Sequence, residues 1–180
     1  MKILGVDPGL RVTGYGVIKA LPARTPMPKM DILEAGIVRT DERSGIAERL
    51  RKIYTSLTEL ITELRPDVLV IEKLYAHYDH PATAILMGHA RGVICLLSGV
   101  HGVPLESLAS TSVKRAVTGH GHAGKMQVQR MVQHLLGLKK PPQPPDVADA
   151  LAVAVAYASQ TNGITQIKKK IAPISSKTTI

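Results

Sequence analysis

The 180-residue chain has no tryptophan, no phenylalanine and only five tyrosines, so its core has to be built from aliphatic side chains. A single cysteine, Cys95, rules out an internal disulfide; it suits a reducing compartment and a thiol packed as a small hydrophobe. Acids are scarce as well. Fourteen Asp and Glu stand against 23 Lys and Arg, a formal charge of +9 that favours a polyanionic partner. Only four apolar residues lie between Lys2 and Asp7, too few for a signal peptide. No stretch offers the roughly 20 uninterrupted apolar residues of a spanning helix. These absences predict a soluble, cytoplasmic protein with no membrane partner. With 44% apolar residues, the chain is long enough for one ordinary core.

What is present begins with residues 1–16. The apolar run Ile3, Leu4, Gly5, Val6 leads to Asp7 and then to Pro8-Gly9, the pattern of a buried strand closed by a turn. Residues 12–18, rich in Val, Ile and Tyr, read as its hairpin partner, and residues 30–40 as a third strand. A carboxylate at the end of a buried strand is costly unless it is paired or bound to a cation. It can also serve simply as a turn former. This stretch alone leaves both readings of Asp7 open.

The period changes after Ile46: Leu50, Ile53, Leu57, Leu60, Ile61 and Leu64 recur at three and four, predicting an amphipathic helix that stops before Pro66. Residues 67–72 then form a continuous apolar run typical of a buried parallel strand, ending in Glu72. Open α/β sheets place their sites at this carboxyl edge. A helix is expected over 81–100, with Gly88, Ala90 and Gly92 implying close packing against the sheet or another subunit. A short strand is expected at 103–105, and a brief helix capped by Ser110, Thr111 or Ser112. The loop at 118–124 holds His120 and His122, better read as a flexible segment near nucleic acid than as a zinc site. A helix at 125–136 and a proline-rich connector follow. Between His80 and Pro145 there are seven Lys and Arg and one acid, Glu106; Asp146 and Asp149 come next.

Asp146 and Asp149 are three apart at the start of the last predicted helix and therefore share a face. The helix dipole accounts for one first-turn acid, but not for Asp149 on an Ala, Val and Leu surface. With Asp7 and Glu72 they make four carboxylates that would repel one another without divalent cations. Oxygen-only ligands suit Mg²⁺ or Mn²⁺. Two such ions about 3.5–4 Å apart can activate water and stabilise the leaving oxygen of a phosphodiester. The expected chemistry is metal-assisted phosphodiester hydrolysis. Residues 1–160 would form the nuclease domain, and 161–180, with four lysines and no acids, a basic flexible tail.

These residues also resemble a known family. The segments Gly5-Val-Asp-Pro-Gly9, Arg11-Val-Thr-Gly-Tyr-Gly16, Ile71-Glu72, Gly88-His-Ala-Arg-Gly92 and Asp146-Val-Ala-Asp-Ala-Leu-Ala152 are similar to those of the RuvC family of Holliday junction resolvases. The resemblance implies an α/β, ribonuclease H-like fold with a mixed five-stranded sheet flanked by helices. It implies a homodimer that nicks two symmetric strands of a four-way DNA junction in recombination and repair. Its metal ligands and catalytic acids fall on Asp7, Glu72, Asp146 and Asp149. DNA contacts fall on Lys114 and Lys125, and a stacking aromatic falls on Tyr75, where Phe is commoner. Arg91 is a further candidate, as a DNA contact or a structural ion pair. A branch-migration helicase complex is the implied motor partner. His80 stands where the family usually has Asn and His89 where it has Gln, and the segment 75–81 is one residue longer. Two other readings remain: a related nuclease acting on RNA, and a non-catalytic junction-binding protein.

Overall fold

The computed structural model describes residues 1–23, 25, 27–73 and 81–171. Five strands, β1 (Lys2–Asp7), β2 (Val12–Leu21), β3 (Lys29–Arg39), β4 (Val68–Glu72) and β5 (Leu105–Leu108), form one mixed sheet. The helices are α1 (Ile46–Leu64), α2 (Pro81–His101), α3 (Ser110–Thr118), α4 (Lys125–Leu135) and α5 (Pro145–Ile171). The strand order is β3-β2-β1-β4-β5. The first three strands are antiparallel neighbours joined by short links, while β4 and β5 run parallel to β1. The expected five-stranded mixed sheet between helices is therefore observed.

Each face of the sheet carries its own aliphatic core. Ile3, Val68 and Val70 point towards α3, α4 and α5, and Leu4, Val6, Leu69 and Ile71 towards α1 and α2. The strand pleat alternates side chains between faces. Asp7 and Glu72 therefore fall in step with Ile3 and Val70, on the α5 side. Strands β1 and β4 pair in register up to Val6 opposite Ile71, which sets the two acids one position beyond, side by side.

Helix α5 is buried nearly all round from Val147 to Ala158, as its lack of a polar face demands. It lies unusually close to the sheet. A methyl group on Gly5 would collide with the carbonyl oxygen of Ala150, and one on Gly14 with that of Asp146. Absent side chains on β1 and β2 thus bring the start of α5 against the strand that carries Asp7.

Three details depart from expectation. The fifth strand spans Leu105–Leu108 rather than 103–105, because Val103 lies in the turn that closes α2: its amide donates to Ser98 O at 3.0 Å after Gly102 turns at φ 63°. Helix α3 starts after Ala109 with no side-chain cap. Helix α5 continues through 161–171, where a flexible tail was expected, and Asn162 Nδ2 donates to Thr25 O at 2.8 Å.

Helix α2 leaves much of its surface open. The window Ala84–His101 is long and apolar enough, by length and composition alone, to cross a membrane, with 17% of it buried. Its inner face nevertheless packs on the sheet through Ala90, Ile94 and Leu97, all fully enclosed. The outer face leaves Ile85, Leu86, Leu96 and Val100 exposed.

Candidate active site

The site is a cleft at the carboxyl ends of β1 and β4. Its lining includes Asp7, Glu72, Arg91, Ser110, Lys114, Lys125 and Asp149. The turn after Asp7 is tied by Thr13, whose Oγ1 donates to Gly9 O at 2.7 Å, and further out by Thr40, whose Oγ1 donates to Leu10 O at 2.6 Å. Those hydroxyls perform the turn-forming role that was one alternative for Asp7. Its carboxylate faces the cleft instead.

Burial and three neighbouring charges act on Asp7. Loss of solvent is the largest cause, followed by Asp149, Asp146 and Glu72, and together they push its pKa from 3.8 up to about 7; Lys125 pulls modestly the other way. The other three predicted acids thus all lie close enough to act on Asp7, although Asp146 is not among the residues that line the cleft. Glu72 is also held above the usual carboxylate range, first by burial. A hydrogen bond from Ser110 opposes that rise, the charge of Asp149 adds to it, and Lys114 opposes it. The Lys125 Nζ lies 2.7 Å from Asp149 Oδ2, and that hydrogen bond raises the lysine pKa above its ordinary value.

Among the described residues, no group of three His, Cys, Asp or Glu side chains is already gathered tightly enough to hold an ion. Asp149 is engaged by Lys125 and Glu72 by Ser110, so two of the four carboxylates are turned to protein partners. The chemistry of the donors still fits a hard divalent cation. They are all carboxylate oxygens, and their mutual repulsion at Asp7 is what such a cation relieves.

Of the predicted DNA-contacting residues, Lys114, Lys125 and Arg91 line the cleft, and Tyr75 lies outside the described residues. Among the described residues Arg91 forms no ion pair, one of the two contacts anticipated for it. Its Nη1 donates to the backbone carbonyl of Glu72 and its Nη2 to Ser107 Oγ at 3.1 Å. Ser110 was read from sequence only as a possible helix cap. The signal for its contact with Glu72 was long-range, because it depends on β5 running parallel to β4 so that α3 begins beside the end of β4.

The family model described as "Crossover junction endodeoxyribonuclease RuvC" matches residues 3–157. A crossover junction endodeoxyribonuclease RuvC of Rhodopirellula baltica is 45% identical over 153 residues, covering 85% of this chain and 83% of the relative. That of Alkaliphilus oremlandii is 42% identical over 170 residues, 94% of this chain and 100% of the relative. Among solved structures, T. thermophilus RuvC in complex with a Holliday junction substrate superposes with a TM-score of 0.84. The sequences are 33% identical, and the match covers 92% of this chain and 97% of that one.

Proposed function

The chain belongs to the RuvC family of crossover junction endodeoxyribonucleases; it is a metal-dependent nuclease for four-way DNA junctions, and we propose that Asp7, Glu72, Asp146 and Asp149 carry its chemistry. The fold is ribonuclease H-like. The observation that carries the assignment of the four acids is the placement of Asp7 and Glu72 side by side at the ends of β1 and β4, with Asp149 lining the same cleft and Asp146 close enough to act on Asp7.

The group these residues would hold is Mg²⁺, with Mn²⁺ as a substitute and two ions per site, which would supply an activated water and charge stabilisation at the leaving oxygen. Asp7, on the central strand, would be one of the ligands. Glu72 and Asp149 flank it, and Asp146 completes the set from the first turn of α5. The residues themselves orient the scissile phosphate: Lys114 beside Glu72 and Lys125 beside Asp149 supply positive charge at the mouth of the cleft. Tyr75 stacks on an unpaired base near the junction centre, a contact worth about 1–3 kcal/mol in comparable sites.

The protein acts in the cytoplasm as a two-fold dimer, so that two identical clefts meet two symmetry-related strands. The outer face of α2 supports this arrangement. Gly88, Gly92 and Gly99 are spaced along it and, among the described residues outside the helix's own backbone, nothing lies within 4 Å of where a side chain would begin, and Ile85 and Leu96 beside them are exposed. Close packing against the sheet is thus not what these glycines serve. A branch-migration helicase complex is the partner that family membership supports for delivering the junction.

Incubation of the protein with a synthetic four-way junction and Mg²⁺ tests the proposal. Linear duplex and RNA–DNA hybrid serve as controls, beside Asp7→Asn. Paired symmetric nicks in the junction alone, lost in the variant while binding persists, are the expected result. Junction cleavage that survives Asp7→Asn overturns the assignment of the acids.

A further inference from the structure

Arg91 uses its charge in an uncommon way. It sits on α2 beside the fully buried Ala90, and among the described residues it forms no ion pair. Its two terminal nitrogens reach neutral acceptors on two different strands. One is the carbonyl of Glu72, the last residue of β4; the other is the hydroxyl of Ser107 on β5. Ser107 pairs with Ile71 in the sheet, the residue just before Glu72. A planar guanidinium is suited to this, because its donors diverge in a rigid fork that a lysine or a single hydroxyl cannot reproduce.

We propose that Arg91 is a positioning residue for Glu72, clamping the carboxyl ends of β4 and β5 to α2 so that the seating of α2 sets the place of the Glu72 carboxylate. The inference rests on the reading of Glu72 as a metal-binding acid. The clamp grips the backbone and leaves the carboxylate to Ser110 and the cation. Loss of such a supporting contact to a ligand residue ordinarily lowers metal affinity or activity by about 10- to 100-fold. The clamp also joins two functions on one helix. Residue 91 holds the cleft, while Gly88, Gly92 and Leu96 on the same helix form the face assigned to the second subunit. Docking of that subunit bears directly on the end of β4.

The test compares Arg91→Met, Arg91→Lys, Ser107→Ala and Glu72→Gln with the wild-type protein. Each is examined for junction affinity, single-turnover cleavage at saturating junction, the Mn²⁺ concentration giving half-maximal rate, Mn²⁺ binding to the DNA-free protein followed by electron paramagnetic resonance, and melting temperature. Arg91→Met is expected to bind the junction within about twofold of wild type, to cleave at least about 10-fold more slowly, and to need about 10-fold more Mn²⁺ in both metal readouts. Ser107→Ala should shift the same readouts by a smaller factor with an unchanged melting temperature, and Arg91→Lys should recover part of the loss. If Arg91→Met does not fold, Ser107→Ala decides alone. Lost junction affinity with an unchanged Mn²⁺ requirement makes Arg91 a DNA contact and overturns the proposal. Wild-type cleavage by both Arg91→Met and Ser107→Ala overturns it too. Glu72→Gln separates the two levels: wild-type metal binding in that variant removes the underlying reading, whereas an inactive Glu72→Gln beside a silent Arg91→Met removes only the clamp.

Discussion

Lys125 Nζ lies 2.7 Å from Asp149 Oδ2, so a basic residue at the start of α4 is bonded to one of the acids assigned to the metal. With the lysine side chain 64% exposed and the aspartate 34%, solvent screens the pair, and it adds little to stability. Its importance is local. An ammonium and a divalent cation at one carboxylate repel each other, so the lysine opposes metal binding there.

Lys125→Met should therefore tighten Mn²⁺ binding to the DNA-free protein by about two- to fivefold, the value of a screened ion pair. The same variant should bind and cut the junction more weakly, since a phosphate contact is lost. Calorimetric titration with Mn²⁺ and junction binding at two salt concentrations measure the two effects, and weaker metal binding in the variant would count against the competition.

The elevated pKa of Asp7 gives a stability signature. Its folded value is about 7 against 3.8 when unconstrained, so between those pH values the folded state holds a proton that the unfolded state releases. The stabilisation is present below pH 3.8 and is lost as pH rises to about 7. Asp7→Asn removes this dependence and should stabilise the metal-free protein at pH 8 by roughly 2–4 kcal/mol relative to pH 4. Urea unfolding in chelator at both pH values checks it; parallel pH profiles for the two proteins would refute the assignment.

Metal binding inherits the same proton. A cation entering at Asp7 displaces it, so the apparent Mn²⁺ affinity should climb with pH to about 7 and then level off. Proton release measured in buffers of different ionisation enthalpy should be substantial at pH 6 and small at pH 8.

On the open face of α2, Leu96→Glu should prevent two copies from packing and leave protomers of 19.3 kDa in sedimentation. Such protomers should lose paired nicking. A Leu96→Glu protein that remains dimeric would move the interface elsewhere.

Gly14→Ala places a methyl group against the carbonyl of Asp146 and should cost about 1–3 kcal/mol in stability, with cleavage reduced further because α5 must shift. Chemical denaturation and single-turnover cleavage measure the two losses separately.

The gathering of three acids around Asp7 was legible in the sequence because each of the four sits where periodicity changes. Asp7 and Glu72 end apolar runs, and Asp146 and Asp149 open a helix with no polar face. Strand parity even places the first pair on one side of the sheet. The supporting groups were not legible. Nothing local about Arg91 says that its fork reaches two strands, and nothing about Ser110 distinguishes a helix cap from a partner of Glu72. Both roles depend on the parallel pairing of β4 and β5, which joins residues far apart in the chain. The displaced fifth strand has a similar cause, since Val103 is apolar for the sake of a helix end.

The packing of α5 on β1 and β2 also has a consequence in time. The last helix to be synthesised covers the sheet face that the first two strands present. A nascent chain therefore carries Asp7 long before Asp146 and Asp149, and until α5 is made only α3 and α4 can cover Ile3, Ile18 and Val70. The cleft thus cannot assemble until α5 has been made, and its folding waits on a contact between elements far apart in the sequence.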